Sequence, residues 1–214
     1  MTAASDRIRV LFVCLGNICR SPMAEAVFRK LVRDDGLERR FEIDSAGVGS
    51  WHTGEPPDER AVATAAGRGV LLTGSARQVR AADLDRFDYI LAMDEENLAA
   101  LRRLARTGAR TRGATGKDAG AESGTGRLAA SDAAQPSSAA GPVDVTRAGG
   151  RVDPTPRLPE IRLFREFDPA SVRAEDLDVP DPYYGGPRGF DDVYDLVERA
   201  ARGLLDHIRR EHGL

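Results

Sequence analysis

The chain has 214 residues, 41% hydrophobic and 30% charged, enough apolar side chains for one core of ordinary size with something added. Its 31 basic and 34 acidic residues leave a formal charge of −3, which excludes the basic footprint of a nucleic-acid binder or a polybasic membrane anchor. No stretch approaches the roughly 18 apolar residues that span a bilayer, and the polar start, Met1 to Arg9, lacks the apolar run of a signal peptide, so a cytoplasmic protein is expected.

Ile8 to Leu15 is an apolar run closed by Gly16, and it reads as a buried parallel strand. A helix follows at once. Ser21 is suited to cap it and Pro22 to open it, and Met23, Ala26, Val27, Lys30 and Leu31 recur at helical spacing until Gly36. Phe41 to Ser45 gives the second strand, Asp58 to Arg68 the second helix, Tyr89 to Met93 the third strand and Glu95 to Ala105 the third helix. From Thr107 to Pro156 the composition shifts to Ala, Gly, Ser, Thr, Pro and Asp, with Leu128, Val143, Val145 and Val152 as the larger aliphatics. That segment is expected to be a disordered, low-complexity insertion inside a single domain spanning 1–214. Lengthening a loop from about 5 to about 55 residues costs only about 2 kcal/mol, so an otherwise stable domain can carry it. Ile161 to Phe167 reads as the fourth strand, and Val193, Leu196, Val197, Ala200, Leu204 and Ile208 stripe a final helix. The sum is a doubly wound α/β fold, three layers around a four-stranded parallel sheet. Its ligand crevice lies beyond the carboxyl ends of the strands, at the loop Cys14 to Arg20.

Two cysteines, Cys14 and Cys19, and three scattered histidines, His52, His207 and His212, cannot assemble a disulfide framework or a zinc site, so no metal or cofactor is expected. The loop itself suits an oxyanion. Leu15, Gly16, Asn17, Ile18, Cys19, Arg20 and Ser21 form the candidate phosphate cradle at a helix N-terminus, where backbone N–H groups face an anion. Gly16 and Asn17 tolerate left-handed backbone, and Arg20 supplies a planar fork for two oxygens. The same field favours a thiolate at Cys14, and Ser21 is placed to donate its hydroxyl to that sulfur.

With these residues in view the chain resembles the low-molecular-weight protein-tyrosine phosphatases. The likeness rests on Cys14 to Pro22 followed by Met23-Ala24-Glu25-Ala26, and on Asp44-Ser45-Ala46-Gly47 with Trp51-His52 and Gly54-Glu55-Pro56. It continues through Asp88 to Asp94 and Asp181-Pro182-Tyr183-Tyr184-Gly185, leaving out only the insertion. The resemblance implies a flavodoxin-like fold and hydrolysis of phosphotyrosine through a cysteinyl-phosphate intermediate. It implies Cys14 as nucleophile, Arg20 as phosphate clamp, Asn17 and Ser21 as organisers of the loop, and Asp181 as general acid and base. An Asp-Pro-Tyr-Tyr sequence alone reads as a surface turn. Trp51, Tyr183 and Tyr184 are expected at the substrate rim, His52 as a structural or solvent-facing histidine, and Asp94, at the end of the third strand, as a helix cap, with a hydrogen bond to loops near the site as the alternative. Cys19, five positions from Cys14, is a candidate redox partner able to form a reversible disulfide with it.

Two neighbouring chemistries remain alternatives on the same loop. A thiol-dependent arsenate reductase would have to borrow an external thiol, because no cysteine follows Cys19. A protein-arginine phosphatase suits a threonine hydroxyl where Ile18 stands; Ile18 instead offers an apolar wall to a phenol ring. The expected partners are phosphotyrosine-containing proteins, neither nucleic acid nor membrane, met by a monomeric or weakly associating enzyme.

Overall fold

The computed structural model describes residues 7–114, 159–171, 174–186 and 188–214. The strands are β1 (Ile8–Cys14), β2 (Phe41–Gly47), β3 (Tyr89–Ala92) and β4 (Glu160–Leu163). The helices are α1 (Arg20–Asp34), α2 (Glu59–Gly67), α3 (Asp83–Arg86), α4 (Glu95–Ala114) and α5 (Gly189–His212). All pairings are parallel, in the order β2-β1-β3-β4.

β1 is an inner strand, which is why its sequence is apolar from Val10 to Cys14 rather than alternating, with Arg9 at its half-buried start. The pleat sends Val10, Phe12 and Cys14 into one core, against Met23, Val27 and Phe28 of α1 and Val193, Val197 and Leu204 of α5. Leu11 and Val13 point the other way, to a second core with Ile90 and Ala92 of β3, Leu84 of α3, and Leu98 and Leu101 of α4. The layers are therefore helix, sheet, helix, as the alternating sequence predicts. Phe12 makes edge-on contacts with Phe28 (5.7 Å) and Phe164 (5.1 Å), tying β1, α1 and the segment after β4 together. β1 has β2 on one side and β3 on the other, so the chain leaves it in both directions and a crevice opens beyond Cys14.

Four details differ from the sequence reading. β4 stops at Leu163, and Phe164–Phe167 is a 3-10 turn. Glu166 takes the Leu163 N–H at 2.9 Å, and the tight turn buries both Phe164 and Phe167. α1 begins at Arg20 with Cys19 in the capping position, so Ser21 does not cap it. The third helix, α4, continues to Ala114, into the first residues assigned to the insertion. Residues 115–156 of that insertion lie outside the described residues. α3 and the 3-10 turns at Glu38–Arg40 and Pro169–Ser171 had no clear signal in the sequence, whereas the 3-10 turn Pro182–Tyr184 falls on the turn read from Asp181-Pro182-Tyr183-Tyr184.

Candidate active site

Between the last residue of β1 and the first of α1, the loop Leu15 to Cys19 has to reverse within a few residues. Asn17 supplies the left-handed conformation (φ 60°), which a short polar side chain accepts best among residues other than glycine. Gly16 was expected to do the same and does not; it is needed for room. A Cβ at Gly16 would stand 2.9 Å from His52 Cδ2, so the His52 ring packs directly on the loop backbone.

The loop is fixed from behind by hydrogen bonds. Asn17 Nδ2 donates to Ser21 Oγ and Ser45 Oγ, each at 2.9 Å, and its Oδ1 accepts the Arg77 N–H at 2.9 Å. Ser45 in turn donates to Glu25 at 2.6 Å. Two groups meet Cys14 Sγ: the Asn17 N–H at 3.2 Å and the Ser21 hydroxyl at 3.0 Å. Asn17 and Ser21 thus stand behind the wall of the site rather than in it, both buried.

In front lies a cavity of about 300 Å³ with Cys14 at its floor and Leu15, Gly16, Ile18, Cys19 and Arg20 around it. Trp51, His52, Asp181 and Tyr183 complete the lining. Trp51 is 69% exposed and Tyr183 40%, which places them at the mouth, while Cys14 is only 2% exposed. Tyr184 belongs to the same turn by its backbone, and its side chain lies outside the described residues. The N-terminus of α1 opens on this cavity at Arg20, with no side-chain cap on it and no acidic residue in its first turn.

Arg20 is nearly buried. Its Nη1 donates to Asp94 at 2.6 Å and to the Val179 carbonyl at 3.0 Å, and its Nη2 to Asp181 at 3.2 Å. Burial works against its charge, but Cys14, Asp181 and the hydrogen-bonded Asp94 outweigh it and raise the guanidinium above its ordinary pKa. Cys19 is driven the same way by other causes. Burial, then the charges of Asp58, Cys14 and Asp181, push its thiol up to about 12, so it stays protonated at neutral pH.

Two site residues were underread in the sequence. His52 lines the cavity, its Nδ1 2.6 Å from Glu55. Asp94 does cap α4, accepting the Asn97 N–H at 2.7 Å, but its second oxygen holds Arg20. Its position at the end of β3, beside β1, is what made a hydrogen bond near the site the alternative to capping. Among the described residues no group of three or more His, Cys, Asp or Glu side chains could hold a metal ion.

A family model described as low molecular weight phosphotyrosine protein phosphatase matches residues 9–114 and 153–213. A low molecular weight protein-tyrosine-phosphatase of Streptomyces coelicolor is 41% identical over 203 residues, covering 95% of this chain and 94% of that protein. The crystal structure of YfkJ from Bacillus subtilis superposes with a TM-score of 0.67 at 34% identity, covering 98% and 99% of the two chains. A Drosophila arginine phosphatase reaches the same TM-score, 0.67, at 28% identity, covering 94% and 98%.

Proposed function

The chain belongs to the low molecular weight phosphotyrosine protein phosphatase family, and on that premise we propose that Cys14 is its nucleophile, Arg20 its phosphate clamp and Asp181 its general acid and base. The observation that carries this assignment is the convergence of three groups on one cavity. Cys14, whose sulfur accepts the Asn17 N–H and lies 3.0 Å from the Ser21 hydroxyl, shares the cavity with a guanidinium that already touches Asp181.

A phosphate dianion entering the cavity competes with Asp181 for Arg20 Nη2, which turns the Asp181 carboxyl toward the leaving oxygen. The Cys14 thiolate then attacks phosphorus as the bond to the aryl oxygen breaks, and Asp181 delivers its proton to that oxygen. In the second half the Asp181 carboxylate takes a proton from water, the oxygen attacks phosphorus, and the P–S bond breaks to return thiolate and free phosphate. Arg20 and the N-terminal amides of α1 hold the equatorial oxygens throughout. Asp94 and the Val179 carbonyl keep the guanidinium oriented while its second nitrogen changes partner.

A nearly buried Cys14 with exposed aromatic rings, Trp51 and Tyr183, at the mouth supports an aromatic phosphate, whose ring can pack on them where a serine phosphate offers no ring. Ile18 presents only hydrocarbon to the cavity, which disfavours phosphoarginine despite the likeness to an arginine phosphatase. Under the same reading the protein acts on phosphotyrosine proteins as a cytoplasmic monomer. Among the described residues no helix is long and apolar enough to cross a membrane.

The test compares wild type, Cys14→Ser and Asp181→Ala on a phosphotyrosine peptide and p-nitrophenyl phosphate, with phosphoarginine and arsenate alongside. Turnover abolished by Cys14→Ser and lowered about 10²- to 10⁴-fold by Asp181→Ala is expected. Turnover of phosphoarginine or arsenate alone would move the function to the corresponding alternative.

A further inference from the structure

We propose that Arg60 is a positioning residue for the general acid, bracing the Asp181 turn against the phosphate loop; this rests on the assignment of Asp181 above. The Asp181 carboxylate is 37% exposed, and among the described residues it accepts from Arg20 Nη2 at 3.2 Å and the Tyr183 N–H at 3.1 Å. Once a substrate dianion takes Arg20, the aim of Asp181 depends on the Pro182–Tyr184 turn.

Arg60, on the first turn of α2, holds that turn in two ways. Its Nη1 donates to the Tyr183 carbonyl at 3.1 Å, and its guanidinium lies over the Tyr183 ring (5.1 Å to the centroid) and the Phe190 ring of α5 (4.7 Å). The remaining donors go to Asp58: Nε at 3.0 Å and Nη2 at 2.8 Å, with the Arg60 N–H on the same carboxylate at 2.8 Å. Asp58 closes the path, because its own N–H donates to the Ile18 carbonyl at 2.8 Å, inside the phosphate loop. One unbroken run of contacts therefore connects Ile18, Asp58, Arg60, Tyr183 and Asp181.

The geometry needs arginine. Three donor directions in one plane serve Asp58 and Tyr183 at once while the flat face lies over a ring, and a lysine ammonium cannot do both. Arg60 and Asp58 reinforce each other's charge, the hydrogen bond between them raising the one pKa and lowering the other. A half-exposed pair of this kind adds little to stability. Its value lies in where it holds the acid, since a misplacement of about 1 Å can cost about 10²-fold in rate.

The experiment measures kcat/KM for phenyl phosphate, whose leaving group has a pKa of about 10 and needs a proton, and for 2,4-dinitrophenyl phosphate, whose leaving group departs without one. Arg60→Met, which keeps the stem, is expected to lower the phenyl phosphate value at least about 10-fold, a part of the whole acid contribution, and the dinitrophenyl value less than about 2-fold. Inhibition by inorganic phosphate is unchanged, and Arg60→Met costs nothing further in an Asp181→Asn background. Asp58→Asn, which keeps a capping oxygen but loses the ion pair, shows the same substrate selectivity. Equal loss on both substrates, no loss, or additive loss in the Asn background overturns the proposal. Asp181→Asn losing both substrates alike overturns the acid assignment and this proposal with it. Selectivity in Asp181→Asn without selectivity in Arg60→Met or Asp58→Asn overturns this proposal alone.

Discussion

Asn17 carries two jobs that a single substitution series can separate. Glycine accepts its φ of 60° without strain but takes the acceptor from the Arg77 N–H and one bond each from Ser21 and Ser45, which keep their contacts to Cys14 and Glu25; alanine loses the same bonds and adds the steric cost. Asn17→Gly is expected to destabilise by about 1–3 kcal/mol for the lost acceptor of the Arg77 N–H. Asn17→Ala should cost about 1–2 kcal/mol more for the left-handed backbone. Urea denaturation of both variants checks this, and the reverse order would show that the backbone is not constrained there. The need for such a residue was legible, since Gly-Asn between strand and helix is a turn signal, but the partners were not. Ser45 reaches Asn17 only because β2 pairs with β1 in a register that no local pattern encodes. Cys19 is a second case. Its thiol, pushed up to about 12, is expected to resist iodoacetamide at neutral pH while Cys14 is modified, as peptide mass spectrometry will show. After mild peroxide converts Cys14 to a sulfenic acid, Cys19 is expected to displace water from it to form the intraloop disulfide, faster as pH rises. Sulfinic or sulfonic acid on Cys14 in place of the disulfide would remove the redox role.

Elements are where the sequence misled, and the reason is tertiary. Ile161 to Phe167 has strand composition, yet Phe164 and Phe167 stand three apart, a spacing that puts them on opposite faces of a strand and on one side of a 3-10 turn. The core asks for both on one side, Phe164 against Phe12 and Phe167 beside His207. α5 then crosses this turn at Gly203, where a Cβ would stand 1.8 Å from the Phe167 carbonyl oxygen. A glycine inside a helix costs about 1 kcal/mol against alanine, so its presence is explained by this close approach. Gly203→Ala is therefore expected to destabilise by about 1–3 kcal/mol despite the better helix former, through a lowered denaturation midpoint. A stabilised variant would mean that the helix can lift off the turn without loss. The apolar stripe of α5 and the continuous apolar run of β1 were read correctly because each follows from one element's own burial. The 3-10 turn and Gly203 depend on two elements meeting.

On the scale of the whole molecule, the family model passes over residues 115–152, while both flanks are held by contacts made elsewhere. Leu98 and Leu101 anchor α4 in the second core, its first N–H is taken by Asp178, and the Glu160 N–H at the start of β4 donates to the Asp88 carbonyl. The composition of the segment was legible; the extension of α4 to Ala114 was not, because Gly108 and Gly113 interrupt its helical spacing. A deletion must still close. The 20 residues of α4 span about 30 Å. The four residues of β4 span about 13 Å, so the end of the helix overshoots the start of the strand by about 17 Å. Residues 153–159, fully extended, reach about 23 Å, which is enough to join Ala114 to Glu160 without them being pulled apart. Deleting 115–152 is therefore expected to leave kcat/KM for p-nitrophenyl phosphate within about 2-fold and, by shortening the loop, to raise stability by no more than about 2 kcal/mol. Urea titration and steady-state kinetics on the same preparation decide it. Retained folding with activity lost would show that the segment acts on the site, and Asp178, which links the N-terminus of α4 to the strand of residues leading to Asp181, would be the place to look for the connection.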